Sequence, residues 1–401
     1  MFSHKVIENL GSSSWIRAMF EQGEALKKIY GPDQVYDFTL GNPDPEPPAE
    51  VMESMARLIQ EPGIHKYMAN AGYTEARESV ASYMKDETGV DFSAAQVIMV
   101  SGAAGGLNVV LKALLDPGDE VLVSAPYFAE YKFYAENHGG TLIAVPSLPD
   151  TFQPDIPAIA QAITERTKAV LLNSPNNPSG AVYTETCLRA LAEVLKNAEA
   201  RFGHDIYVLS DEPYVQIVYD GMKVPPVAAI FDHSIVINSF SKSLALPGER
   251  IGYVAVNPKI ADADILMAAL AFANRTLGFV NAPSLFQKVV AENLRIVAGL
   301  DSYRQRRDAL YEIVTEAGFE CALPQGAFYL FPKSPIPDDG KLANMALKHN
   351  LIIVGGTGFC YPGYFRLAYC VSMDTILRSR DAFKRLREDC ARAAEGGPRQ
   401  G

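Results

Sequence analysis

Seven short apolar runs constrain what this chain can fold into more than any other feature. They fall at residues 96–101, 120–124, 141–145, 169–173, 206–210, 234–238 and 252–256. Most are nearly continuous in Val, Ile, Leu and Ala rather than alternating with polar residues. That is the pattern of strands covered on both faces. Segments of helical character near 104–115, 127–138, 155–165 and 185–202 separate several of them. The alternation predicts an α/β fold: a mostly parallel seven-stranded sheet, doubly wound, with helices on both faces. In such a sheet the short connections at the C-terminal strand ends gather the functional residues.

The flanks read differently. Residues 1–34 suggest an arm and then a helix, with Ser12–Ser14 offering cap chemistry and Ile16, Phe20 and Leu26 a stripe. Residues 35–40 alternate like a strand, and the proline-rich stretch 41–48 is a rigid loop. The pattern is helical from about 49 to 92, interrupted at 66–72. A long helical region follows Pro283 to about 317, then short strands near 327–331, 351–354 and 366–369, and an amphipathic helix over 374–394. The tail 395–401 reads as disordered. The expected division is 1–48 as arm and part of a small domain, 49–285 as the large domain, and 286–401 as the small domain. Both termini would then build one α+β unit.

A chain of 401 residues can bury one large core and a smaller one. Its net charge of −11 disfavours a nucleic-acid partner. The five cysteines are scattered and lack zinc-type spacing, so no metal site is expected. They read as reduced thiols of a cytoplasmic protein. The N-terminus lacks the apolar run of a signal peptide, and no window approaches a membrane span.

Four stretches at or near strand ends carry chemistry. In Asn238-Ser-Phe-Ser-Lys242 a lysine sits among small and apolar residues, and Arg250 follows. A lysine that loses solvation has a lowered pKa and a nucleophilic amine, the chemistry of a Schiff base. A solvated loop lysine is the plainer account. Ser101-Gly-Ala-Ala-Gly-Gly-Leu-Asn108 is a small-residue turn into a helix. Its backbone N–H groups suit a phosphate, although tight packing alone explains such turns about as well. Asn173-Ser-Pro-Asn-Asn-Pro-Ser-Gly180 sets three amides between prolines, as a turn would. Ser210-Asp-Glu-Pro-Tyr214 places two carboxylates and a phenol after an apolar strand, where Asp211 could equally cap a helix.

Together these motifs, in this order and spacing, resemble the pyridoxal-phosphate-dependent aminotransferases of fold type I, class I/II. The nearest branch holds the aspartate, aromatic and alanine enzymes. The resemblance covers about residues 35–390. It implies pyridoxal 5'-phosphate as cofactor, a homodimer with shared active sites, and amino-acid and 2-oxo-acid substrates. Lys242 matches the Schiff-base lysine. Asp211 matches the aspartate that keeps the pyridine nitrogen protonated, and so keeps the ring an electron sink. Tyr214 and Asn177 match the pair that hydrogen-bonds the ring's phenolic oxygen. Ser239 and Arg250 match phosphate ligands, although Arg250 could instead pair with Glu249. Ala103 and Ala104 hold the phosphate-turn positions. Phe128 matches the ring-stacking aromatic, with a core role as the alternative. Tyr67 matches a tyrosine that reaches the phosphate of the neighbouring subunit. Arg366 matches the arginine that grips the substrate α-carboxylate, and Gly41 the glycine lying against it.

There are departures. The family segment usually read Ser-Gly-Ile-Arg has Trp15 in place of Gly, on an arm that covers the active site in relatives. The helix after Gly72 reads Thr-Glu-Ala-Arg where Leu-Arg is common. Substrate choice stays open between aspartate or glutamate and aromatic donors. Arg275 lies near the place of a second arginine in dicarboxylate-specific relatives, and Asn281 near a phosphate-contacting serine, whereas Trp15 favours an aromatic pocket. A carbon–sulfur lyase on the same scaffold and a cofactor-binding regulatory protein are the alternative functions.

Overall fold

All seven apolar runs are strands of one sheet. The computed structural model describes residues 2–395, and only the backbone of residues 11–18, 20, 21, 394 and 395. The strands are β1 (Val97–Val100), β2 (Glu120–Ala125), β3 (Thr141–Pro146), β4 (Thr167–Asn173), β5 (Tyr207–Asp211), β6 (Ser234–Ser239) and β7 (Gly252–Val256). They lie in the order β1-β7-β6-β5-β4-β2-β3. β7 runs antiparallel to β1 and β6, and the other pairs are parallel.

The two buried faces explain why the runs are continuous. Val121, Val123, Leu171 and Ile237 share one core with the helix Gly102–Leu114. Leu122, Val170, Leu172 and Val208 point the other way, against Leu188, Leu191 and Leu195 of the helix Glu185–Phe202. The inner strands are buried along nearly their whole length, whereas β3, at the sheet edge, exposes Thr141, Ala144 and Pro146. Each such Leu or Val contributes about 1.5–3 kcal/mol through burial.

The second body draws on both ends of the chain. Tyr36–Asp37 pairs in parallel with Leu351–Ile352. A three-stranded sheet sets Phe365–Ala368 between Val354–Gly355 and Tyr329–Leu330. Met19, Val35 and Phe38 share one core with Leu310, Ile313, Phe365, Phe383 and Leu386. The helix Ser284–Asn293 belongs elsewhere: Val289 and Val290 pack with Val51 and Val80 in the core of the large sheet.

Several flanking expectations are corrected. The first helix, α1, spans His4–Tyr30 and is capped by Ser3, whose side chain accepts from the Val6 amide. Ser12–Ser14 therefore lies inside a helix rather than at its start, because a cap residue is already available upstream. Only Tyr36–Asp37 of the 35–40 run is strand. The region after Pro283 is two helices, Ser284–Asn293 and Leu300–Glu316, separated where Gly299 takes φ 65°. The last helix is also two, Met373–Arg378 and Arg380–Glu395. Residues 396–401 of the tail lie outside the described residues. Among the described residues no helix is long and apolar enough to cross a membrane, and all five cysteines are free thiols.

Candidate active site

A cavity of about 940 Å³ opens at the C-terminal ends of the central strands, between the sheet and the second body. Val6, Asn9 and Leu10 of α1 line it from one side. Lys5 donates to the Glu136 carbonyl at 2.6 Å, tying α1 to the helix Glu130–Asn137.

Lys242 stands on a single turn of helix, Phe240–Ser243, directly after β6. Phe240 and Ser241 are buried and hold that turn against the sheet. The Lys242 Nζ donates to the Gly41 carbonyl at 2.6 Å. Burial lowers its pKa to about 8, and the Arg366 and Arg250 cations push the same way. The amine is thus held nearer its free-base form than a solvated lysine.

Asp211 ends β5 and is buried. It caps no helix. The Tyr131 hydroxyl donates to its Oδ2, while its Oδ1 is buried with no partner in the structure. Burial raises the Asp211 carboxyl to about 7, an effect the bond from Tyr131 opposes. A buried carboxylate oxygen left without a donor is costly. A donor arriving in the cavity would satisfy it.

The helix Gly102–Leu114 opens onto the same cavity, with Ala103 and Ala104 in its lining and no side-chain cap from Ser101. Its first N–H groups therefore lack intrahelical partners and carry the positive end of the helix dipole. Gly102 takes φ 71°, and a Cβ there would stand 2.9 Å from Arg250 Nη2. Arg250 donates to the Pro247 carbonyl at 2.8 Å and makes no ion pair with Glu249 or any other described residue. Ser239 lines the cavity beside it. Phe128 also lines the cavity and meets Tyr131 edge-on at 5.5 Å between ring centroids.

Arg366 enters from the second body. It is 5% exposed, yet among the described residues its hydrogen bonds go only to neutral acceptors: the Thr39 carbonyl and, at 3.1 Å, Asn177 Oδ1. The rings of Tyr329 and Phe359 lie 4.6 and 4.7 Å from its guanidinium carbon. Its Nε has no partner. Asn177 is itself fixed by Asn173, whose Oδ1 accepts from the Asn177 amide at 2.8 Å. The Tyr214 hydroxyl lies 2.9 Å from that of Tyr329.

Three expected residues stand apart. Tyr67 is 91% exposed and does not line this cavity. Arg275 sits on the helix Ala263–Thr276 against the Phe272 ring at 5.6 Å, also outside the cavity lining of this protomer. Trp15 lies within α1, and its side chain is outside the described residues. Asn281 donates to the Ala69 carbonyl at 2.8 Å. Sequence reading missed Tyr131 and Tyr329. Both are tyrosines in otherwise ordinary helix and strand contexts, and only long-range contacts single them out.

Against known proteins, the family model for aminotransferase class I and II matches residues 33–383. The chain belongs to the class I and II aminotransferases. It is an aminotransferase, and enzymes of this family use pyridoxal phosphate. It is 36% identical to the probable aspartate/prephenate aminotransferase of Thermus aquaticus, over 86% of this chain and 89% of that protein. An amino transferase from Eubacterium rectale has the same fold with a TM-score of 0.94 at 38% identity, covering 97% of this chain and 99% of its own. The Thermus thermophilus aspartate aminotransferase with maleate gives 0.82 at 31% identity, covering 93% and 96%. These relatives favour neither a lyase nor a regulatory protein. The donor set fits the cofactor: an aldehyde-reactive amine, an orphaned carboxylate oxygen suited to a protonated ring nitrogen, and an uncapped helix start beside an unpaired arginine suited to a phosphate.

Proposed function

We propose that this aminotransferase holds pyridoxal 5'-phosphate through Lys242 and transfers the amino group of aspartate or glutamate to a 2-oxo acid. The observation that carries the reading is Arg366: a buried cation with no acidic partner, facing the same cavity as a lysine of lowered pKa. A buried guanidinium without a counter-charge is unfavourable until an anion arrives. The α-carboxylate common to all amino acids would supply it in a bidentate pair.

In this reading Asp211 Oδ1 would accept from the ring nitrogen, Asn177 and Tyr214 would donate to the phenolic oxygen, and Phe128 would pack against the ring. Arg250, Ser239 and the backbone of Ala103 and Ala104 hold the phosphate. When bound, the cofactor supplies the carbonyl carbon and the electron-withdrawing ring that make the substrate Cα proton acidic. Lys242 Nζ would take that proton and return it, acting as the general base and then the general acid. Gly41 lies against the carboxylate and keeps Lys242 in reach through its carbonyl. The small body covers the site and excludes water.

The names of the relatives support an acidic donor. Tyr67 and Arg275 would act across a homodimer, Tyr67 on the partner's phosphate and Arg275 on the far carboxylate. Tyr67 and Arg275 are exposed in the single chain, as residues reaching a second copy would be. Trp15 on α1 would influence the same end of the substrate. The free cysteines suit the reducing cytoplasm. The test is to add aspartate, glutamate, alanine and phenylalanine separately to purified enzyme and follow cofactor absorbance through the first half-reaction. Fastest conversion by aspartate or glutamate is expected. Preference for phenylalanine would overturn the acidic assignment, and no conversion by any of the four would overturn the placement of the site.

A further inference from the structure

Tyr329 touches three parts of the site at once. Its hydroxyl lies 2.9 Å from the Tyr214 hydroxyl, and the two rings meet edge-on at 5.9 Å. Arg366 places its guanidinium carbon 4.6 Å from the Tyr329 ring centroid. The same hydroxyl stands only 2.0 Å from where a Cβ on Gly41 would be, so it also fixes the loop whose carbonyl receives Lys242. The ring is 2% exposed and cannot swing away without opening the core.

The topology gives this contact a direction. Tyr329 lies on the strand Tyr329–Leu330, paired with the Arg366 strand in the register Leu367↔Leu330 and Ala368↔Tyr329. Tyr214 follows β5 of the large sheet. The phenol pair therefore joins the small body, which carries the carboxylate-binding cation, to the large body, which carries the cofactor-facing groups.

We propose that Tyr329 is a positioning residue that couples occupation of Arg366 by a carboxylate to the hydrogen bonding of Tyr214. The inference rests on the function proposed above. Arg366 polarises the Tyr329 ring and hydroxyl, and a bound carboxylate neutralises that cation. The hydrogen bond between the phenols then changes strength, and the donor offered by Tyr214 changes with it. Burial pushes the Tyr329 hydroxyl up to about 12, and Arg366 opposes the rise, so both phenols stay protonated donors at neutral pH.

The test uses holoenzyme and four variants: Tyr329→Phe, Tyr329→Leu, Arg366→Ala and the double variant Tyr329→Phe/Arg366→Ala. The first readout is the pH titration of bound-cofactor absorbance without substrate. The second is KM and kcat for the best amino-acid donor. Tyr329→Phe keeps the ring under Arg366 and removes the hydroxyl. It should move the titration midpoint by about half a unit or more and lower kcat several-fold, with KM nearly unchanged. Tyr329→Leu should add a roughly tenfold rise in KM, because the ring contact to Arg366 is lost. Arg366→Ala should shift the titration more when Tyr329 is present than in the Phe background, where only the routes through Asn177 and the direct field on Lys242 remain. Simple additivity of the two shifts, or an unchanged titration in Tyr329→Phe, overturns the coupling. Should Tyr329→Leu fail to fold, the Phe variants decide alone. If Arg366→Ala leaves KM unaltered, the placement of the substrate carboxylate fails instead.

Discussion

Two buried arginines in the small body make opposite use of the same side chain. Arg307 is 3% exposed and meets two carboxylates, Asp220 at 2.8 Å and Asp308 at 2.7 Å, with the Tyr219 ring 4.7 Å away. Arg366 has the same burial and the same aromatic support, but its acceptors are a carbonyl and an amide oxygen. The first is a closed structural unit whose charge is already answered. The second is a charge kept open. Burial alone therefore says little about function; the missing partner does. Lys242 and Asp211 follow the Arg366 pattern, since neither has a counter-charge within hydrogen-bond reach.

The contrast is sharpened first at the lysine. Lys242→Ala should cost on the order of 10⁴-fold or more in turnover, because the aldehyde-binding amine and the proton carrier disappear together. Its thermal midpoint should stay at or above that of the parent, since a desolvated amine has been removed. Native-like multiple turnover in steady-state assays would break the distinction between open and closed charges.

The two arginines come next, as a pair. Arg366→Ala should raise KM for every amino acid tested by roughly 10²-fold, the value of a charge-assisted bidentate pair. Its effect on folding should be small. Arg307→Ala should do the reverse. It should lose roughly 2 kcal/mol in denaturant unfolding, through the lost packing and hydrogen bonds of the buried guanidinium, with KM within a few-fold of the parent. Swapped phenotypes would show that the missing partner is not diagnostic here.

The last effect is a pH dependence at Asp211. Its folded pKa, about 7, lies above the unfolded carboxylate range. The folded state then holds a proton that the unfolded state releases as pH climbs past about 4. Stability of the cofactor-free protein should fall between pH 4 and 7, and the whole penalty should be present above 7. Glu212, also raised to about 7 by burial, adds a slope of the same sign in parent and variant alike. Asp211→Asn should therefore recover on the order of 2–4 kcal/mol at pH 8 relative to pH 4 in denaturant midpoints of the apo protein. An identical pH slope in parent and variant would mean that the open carboxylate costs nothing.

The sequence by itself determined the large sheet, and most of the candidate residues read from it line the cavity. Strands buried on both faces are written as continuous apolar runs and are visible locally, and the candidate side chains stand at their ends: Asp211 ends β5, Ser239 ends β6 and Lys242 follows it. Helix limits near the termini were less visible, because Ser3 and Ser12–Ser14 offer equivalent caps and only the formed helix selects between them. Tertiary structure alone decided which charges stay open. Arg307 has Asp308 beside it in the chain, but Asp220 and the acceptors of Arg366, Thr39 and Asn177, come from residues far away. The same holds for Tyr131, which reaches Asp211 across 80 positions, and Tyr329, which reaches Tyr214 across 115. A side chain's type is written at its own position, but its electrostatic environment is the sum of whatever the fold packs around it.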